Sequence, residues 1–271
     1  MPSDAHCHPF DMKDYQSQAE AERSALKIAV AASSWKAEEL LYHKEIAQHA
    51  SHIGGPPVAL CFAVHPQLPL AESDSVTASL ESLYHFAESG WLQAIGEAGF
   101  DLYDEAYQAT ETWQEELFNL ELELAIAQGL PMVLHIRRAM HKIFSYTKKL
   151  AALPGVVFHS YSGTYEEALA LHKRGVPIYC SFGTTIALNH RKTMRACALL
   201  PPEMLLFETD APYQPLRGKV FSGYGDLFTV VKTAALLRAE AGSPCCTEEE
   251  LHSLNDDHFN RVFFQTSSYS G

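Results

Sequence analysis

The sequence lacks any run of about 18 apolar residues, so no membrane-spanning helix is expected. It also lacks CxxC pairs. Its six cysteines (7, 61, 180, 197, 245 and 246) are too few and too scattered for a disulfide scaffold. The first thirty residues hold Asp4, Asp11, Asp14, Glu20 and Glu22 and no apolar export stretch. A cytoplasmic protein with reduced thiols is therefore expected. Basic residues are scarce, with 20 Lys and Arg against 33 Asp and Glu, a net charge of −13. Such a chain has no global field to coat duplex nucleic acid. An enzyme acting on a phosphodiester is not excluded, because bound divalent cations reverse the local sign. Internal repeats and low-complexity tracts are missing too, which excludes solenoids and propellers.

What is present is apolar content of 47%, enough for a sizeable core, arranged in short runs. These lie around Asp4–His6, then at 26–32, 58–64, 92–99, 131–136, 155–160, 176–182 and 204–210. Near-continuous apolar runs alternating with helical patterns read as parallel strands buried on both faces. Eight such units in 271 residues predict an α/β fold, a single (β/α)8 TIM barrel forming one domain over residues 1–271.

The clearest helix is expected between the fourth and fifth runs, with Trp113, Leu117, Leu120 and Leu124 on one face. Thr112 and Glu115 would form a capping box at its start, and Gly129 with Pro131 its stop. Thr247 and Glu250 make a second capping box. Residues 213–226, rich in glycine and turn formers, follow the eighth run and read as a long loop on the catalytic side of a barrel.

In "DAHCHPFD", His6 and His8 point to one side of a strand and Cys7 to the other, where it would pack. Two imidazoles alone are equally a pair of satisfied histidines. Other runs, however, end in Glu97, His135, His159 and Asp210, and barrel strands converge at those ends. Unpaired, such residues in apolar strands would be costly, so they are expected to partner one another or cations. Four histidines and two carboxylates suit Zn, Mn, Fe, Co or Ni rather than a calcium cage. Six ligands exceed the needs of one catalytic ion, and two divalent metal ions sharing a bridging carboxylate is the economical reading.

"DAHCHPFD", "AVHP", "IGEAGFD", "QEELFNLELELAIAQGLPMVLHIRRA", "FHSYSGTYEEA" and "FETDAPY" occur in the order and spacing of the TatD family of metal-dependent deoxyribonucleases. The chain resembles that amidohydrolase-like barrel family from Asp4 to Tyr213, and again at "FNRVFF". The resemblance implies one metal on His6, His8, Glu97 and Asp210, and a second on Glu97, His135 and His159. Zn, Mg, Mn, Ni and Co are the candidate ions. A hydroxide bridging the two would attack phosphorus or a carbonyl carbon, with Asp210 as general base and later proton donor. His65 matches a family histidine near substrate phosphate, and Arg137 matches a residue able to grip a phosphate oxygen. As isolated residues they read equally as a loop histidine and a surface ion pair. Glu208 shares Asp210's strand face, where it either touches substrate or orients a ligand. The remaining histidines, among them His43, His190, His252 and His258, fall mostly in helical patterns and are expected to face solvent or cap helices.

Departures from the family surround the metal ligands without touching them. Gln67 replaces a histidine, Arg138 an acidic residue, and "LRGKVFSGYGD" an arginine–asparagine pair followed by proline. The metal centre thus reads as intact and the substrate pocket as altered. The leading expectation is a two-metal hydrolase trimming single-stranded DNA as a 3′–5′ exonuclease, with a transient nucleic-acid substrate, no membrane and no obligate protein partner. A metal-dependent ester or amide hydrolase is the alternative, and a non-catalytic metal-binding scaffold the third. Arg137, Arg138, Arg191 and Lys192 read either as a basic rim for phosphates or as dispersed surface charge.

Overall fold

The computed structural model describes residues 1–68 and 73–264. Eight strands form one parallel sheet in sequential order. They are β1 (Ser3–Cys7), β2 (Ala29–Ser34), β3 (Val58–Phe62), β4 (Ala94–Asp101), β5 (Met132–Arg137), β6 (Val156–Phe158), β7 (Ile178–Phe182) and β8 (Leu205–Phe207). Each anticipated run overlaps one strand. Helices fill the connections, as parallel pairing requires. Among them are Ala37–Ile53, Ser73–Glu88, Glu111–Gln128, Arg191–Leu199 and Asp226–Glu240. None of the described helices is long and apolar enough to cross a membrane.

Strand alternation divides the core in two. Val30, Leu60, Phe62, Ile95, Leu134 and Phe158 face outward into the cluster shared with the helices. Val133, Val157 and Leu206 join the small residues Ala29, Ala31 and Ala59 in a second cluster, closed by Phe259, Val262 and Phe263 of helix Glu248–Phe263. That helix also holds the first and last strands together. Asn255 donates through Nδ2 to the Ser3 carbonyl and accepts from the Phe207 N–H at 2.8 Å. Thr247 and Glu250 form the expected capping box at its start.

Two features of helix Glu111–Gln128 correct the sequence reading. Its N-cap is Thr110, not Thr112, and no side chain caps it. Its buried face is Gln114, Leu117, Phe118, Glu121, Leu122, Leu124 and Ala125, while Trp113 and Leu120 are 49% and 41% exposed. Gln114 and Glu121 displace the larger apolar residues because each is spent on backbone groups of the strand ends. Gln114 bonds Asp101, and Glu121 accepts from the Val64 N–H at 2.7 Å. The stop is as expected, with Gly129 left-handed at the C-cap. All six cysteines are free, and Cys7 is buried against β2 with its Sγ 3.9 Å from the Ala31 carbonyl oxygen.

Candidate metal centre

The six residues singled out from strand ends converge at one mouth of the barrel. His6 ends the inward set of β1 and His8 follows it. His135 lies in β5, and His159 comes directly after β6. Asp210 stands three residues beyond β8, which is shorter than the apolar run suggested. Glu97 does not end its strand: β4 continues to Asp101, after a register irregularity between Ile95 and Ala98. Glu97, Gly99 and Asp101 consequently share a face. Gly99 has a φ of +137°, and a Cβ there would collide with the carbonyl of His135, so no larger residue fits between the two acids.

Glu97 sits at the centre with its oxygens facing opposite ways. Oε2 is 3.3 Å from His6 Nε2 and 3.7 Å from His8 Nε2. Oε1 is 2.8 Å from His135 Nδ1, 2.7 Å from His159 Nε2 and 3.4 Å from His65 Nε2. Asp210 Oδ1 completes the first side, 3.7 Å from His6 Nε2 and 3.4 Å from His8 Nε2. Facing ring nitrogens approach to 3.2 Å in both His6–His8 and His135–His159.

Donors sharing one cation at about 2.0–2.2 Å lie roughly 3–3.5 Å from one another. The spacings above match that pattern, and paired imidazole nitrogens without a cation would need a proton between them. Donor sets within reach of a common ion are His6–His8–Glu97, His6–His159–Asp210 and His65–Glu97–His135. His65, expected at the substrate, thus stands closer to the centre than the resemblance implied.

The electrostatics also call for positive charge. Burial would raise the Glu97 carboxyl, but His159, His65 and His6 outweigh it and hold it well below the usual range. Asp210 is likewise depressed: burial opposes it, and the hydrogen bond with His8 and the charge of His159 prevail. For His8, burial works downward, yet Asp210 and Glu97 push the imidazole up to about 9. Two ionised carboxylates in a buried site favour cations, and the donor set fits divalent metal.

A surrounding layer fixes these groups. Asp101 accepts from His135 Nε2 at 3.1 Å, from Arg137 at 3.0 Å and from Gln67 Nε2 at 2.7 Å. Sequence reasoning missed its role, although its place on the face of Glu97 was the available signal. Arg137 is therefore tied to a buried acid and lies 4.2 Å from the Tyr103 ring, with the Arg138 guanidinium 4.5 Å from that ring. Glu208 is fully buried and lies behind His159, with Oε1 3.5 Å from His159 Nδ1 and accepting from the Ser160 N–H at 2.6 Å. That placement favours its orienting role over a substrate contact. Gln214, also unforeseen, donates from Nε2 to Asp210 Oδ2 at 2.5 Å and to Ser160 Oγ at 2.8 Å. No periodicity marks a loop glutamine in advance.

A cavity of about 1130 Å³ opens above the centre. Its walls include Trp35, Gln67, Tyr103, Arg137, Arg138 and Lys192, and residues 213–215 of the expected loop. Two histidines depart from expectation. His43 is fully buried, 2.8 Å from Ser34 Oγ and accepting the Phe10 N–H at 3.1 Å. His258 is buried against the Leu205 carbonyl.

The family model described as TatD related DNase matches residues 3–263. The chain belongs to the TatD family. It is 32% identical over 223 residues to YjjV of Escherichia coli K12, named an uncharacterized metal-dependent hydrolase, covering 79% of this chain and 81% of that protein. It is 34% identical over 151 residues to the 3′-5′ ssDNA/RNA exonuclease TatD of Erwinia billingiae, covering 55% of this chain and 56% of that one. The crystal structure of E. coli YjjV, a TatD homologue, superimposes with a TM-score of 0.79 at 26% identity over 97% of this chain and 98% of the other. The TatD-family chain is thus a metal-dependent hydrolase built on a TIM barrel, with histidine and carboxylate clusters able to hold metal.

Proposed function

We propose that this TatD-family hydrolase cleaves phosphodiester bonds of single-stranded nucleic acid, removing nucleotides in the 3′–5′ direction with two divalent cations bound. The carrying observation is the division of Glu97, whose Oε2 faces His6 and His8 while Oε1 faces His135 and His159. His6, His8, Glu97 and Asp210 would hold one ion, and Glu97, His135 and His159 the other. Zn, Mn, Mg, Co and Ni are the ions to test. Bound there, such ions supply an acidified water and positive charge beside the phosphate.

The chain's own groups do the rest. Asp210 accepts the proton of the attacking water and returns it to the leaving oxygen. Asp101 and Glu208 hold His135 and His159 in orientation through the ring nitrogen turned away from Glu97. Arg137, braced by Asp101 and Tyr103, presents its planar guanidinium to a phosphate oxygen, with His65 beside it. A phosphodiester is favoured because a chain of net charge −13 lines this cavity with Arg137, Arg138 and Lys192. The relative named as a single-strand exonuclease supports the same class.

The test is metal-replete protein on 3′-labelled single strands, beside a panel of carboxylic esters and amides. Release of labelled mononucleotides is expected. Cleavage of an amide or ester with every nucleic acid left intact would overturn the reading.

A further inference from the structure

One wall of the cavity is built by the segment after β7 and carries groups that the reaction does not use. Thr185, His190, Lys192 and Thr193 line it. The last three form the N-cap and the second and third residues of helix Arg191–Leu199. Its first-turn N–H groups have no intrahelical acceptor, no side chain caps it, and no acid stands in its first turn. Instead Arg191 and Lys192 place positive charge at the positive end of the helix dipole, opposite to the stabilising arrangement. Two hydroxyls sharpen the picture. Thr193 is 4% exposed and borders the cavity, and its hydroxyl has no hydrogen-bond partner among the described residues. Thr185 Oγ1 is buried and likewise without a partner. Free amides, unpartnered hydroxyls and cations on one wall are complementary to a tetrahedral oxyanion.

We propose that the start of helix Arg191–Leu199, with Lys192, Thr193 and Thr185, is a subsite for a phosphate of the substrate other than the one being cleaved. It rests on the phosphodiesterase reading and makes it specific: the substrate carries at least two phosphates. The second phosphate is either a terminal phosphomonoester or the neighbouring internal phosphodiester, and both offer the same oxygens.

The test uses the full metal-loaded chain and three substrates: a dinucleotide with one phosphodiester, the same molecule bearing a 5′-phosphate, and a trinucleotide. The wild type is expected to prefer one or both of the two-phosphate substrates in kcat/KM, and the preferred one identifies the source. Thr193→Val and Lys192→Gln should each shrink that preference about tenfold, chiefly through KM. An unchanged preference in both variants would overturn the subsite.

Binding is read separately from catalysis. Inorganic phosphate titrated into the zinc-loaded chain should shift the Lys192 and Thr193 amide resonances saturably, and Thr193→Val should weaken that binding. If no phosphodiester is cleaved yet these shifts appear, the proposed reaction falls and the subsite stands. If the shifts are absent, the subsite itself is wrong.

Discussion

The Asp210 N–H donates to the His6 carbonyl oxygen at 3.0 Å, so two candidate ligands of one cation are also hydrogen-bonded through their backbones. One step further, the His8 N–H donates to the Ala211 carbonyl at 2.7 Å. These bonds join β1 to the segment after β8. The barrel is therefore closed, at its upper rim, by the residues that build the site. Spacing between His6, His8 and Asp210 depends on closure of the barrel more than on any local turn.

The other end of that seam is closed by Asn255, which bonds Ser3 of β1 and the Phe207 N–H of β8 from inside the fold. Asn255→Leu keeps the volume roughly but leaves a buried N–H and a buried carbonyl without partners. Each such loss costs about 1–3 kcal/mol. A destabilisation of about 2–5 kcal/mol is expected by urea unfolding. Metal affinity should fall with it, because the seam also spaces the ligands.

Glu97→Gln tests the central carboxylate. The amide nearly preserves shape while removing the charge shared by the two sides of the site. Metal content per chain is expected to fall below that of the wild type, with kcat down about a hundredfold or more. Elemental analysis and activity at saturating metal measure both. Full metal occupancy in this variant would remove Glu97 from the bridging role.

Much of the barrel was legible because parallel strands buried on both faces announce themselves as short apolar runs, and each of the eight runs overlaps a strand. The ligand candidates were legible for a related reason: Glu97, His135 and His159 are conspicuous when a charged or polar side chain interrupts such a run. Asp101 was harder to see because β4 outlasts its apolar stretch. Trp113 and Leu120 misled because apolar spacing does not reveal that Gln114 and Glu121 are buried to satisfy strand-end backbone groups. Gln214 carried no signal at all, since its partnership with Asp210 depends on how a loop folds back.

Gln214 is expected to act through Asp210. By donating to Oδ2 it leaves Oδ1 as the oxygen turned toward His6 and His8. Gln214→Leu removes the donor from a loop position whose left-handed backbone (φ 52°) already carries a non-glycine residue in the wild type. The expected outcome is a kcat lower by about tenfold with KM nearly unchanged, the size of one charge-assisted hydrogen bond. The acid limb of the kcat profile should move as well. A purely structural role would lower the unfolding temperature and leave that limb in place.

His43 sets an acid limit to stability. Burial pushes its imidazole down to about 3, with the charges of His8 and Lys13 adding to the effect. The ring stays neutral in the fold, bonded to Ser34 and Phe10, whereas in the unfolded chain it takes up a proton near pH 6.5. Below that pH the unfolded state binds more protons than the folded one, so stability falls as the pH drops from about 6.5 toward 3. Over the whole window the loss amounts to several kcal/mol, on the order of 1.4 kcal/mol per pH unit once the unfolded group is protonated. His43→Asn removes the titration. Urea unfolding of metal-free protein between pH 7 and 5 should then show a shallower decline in the variant than in the wild type. Equal slopes would mean that His43 is not the group responsible.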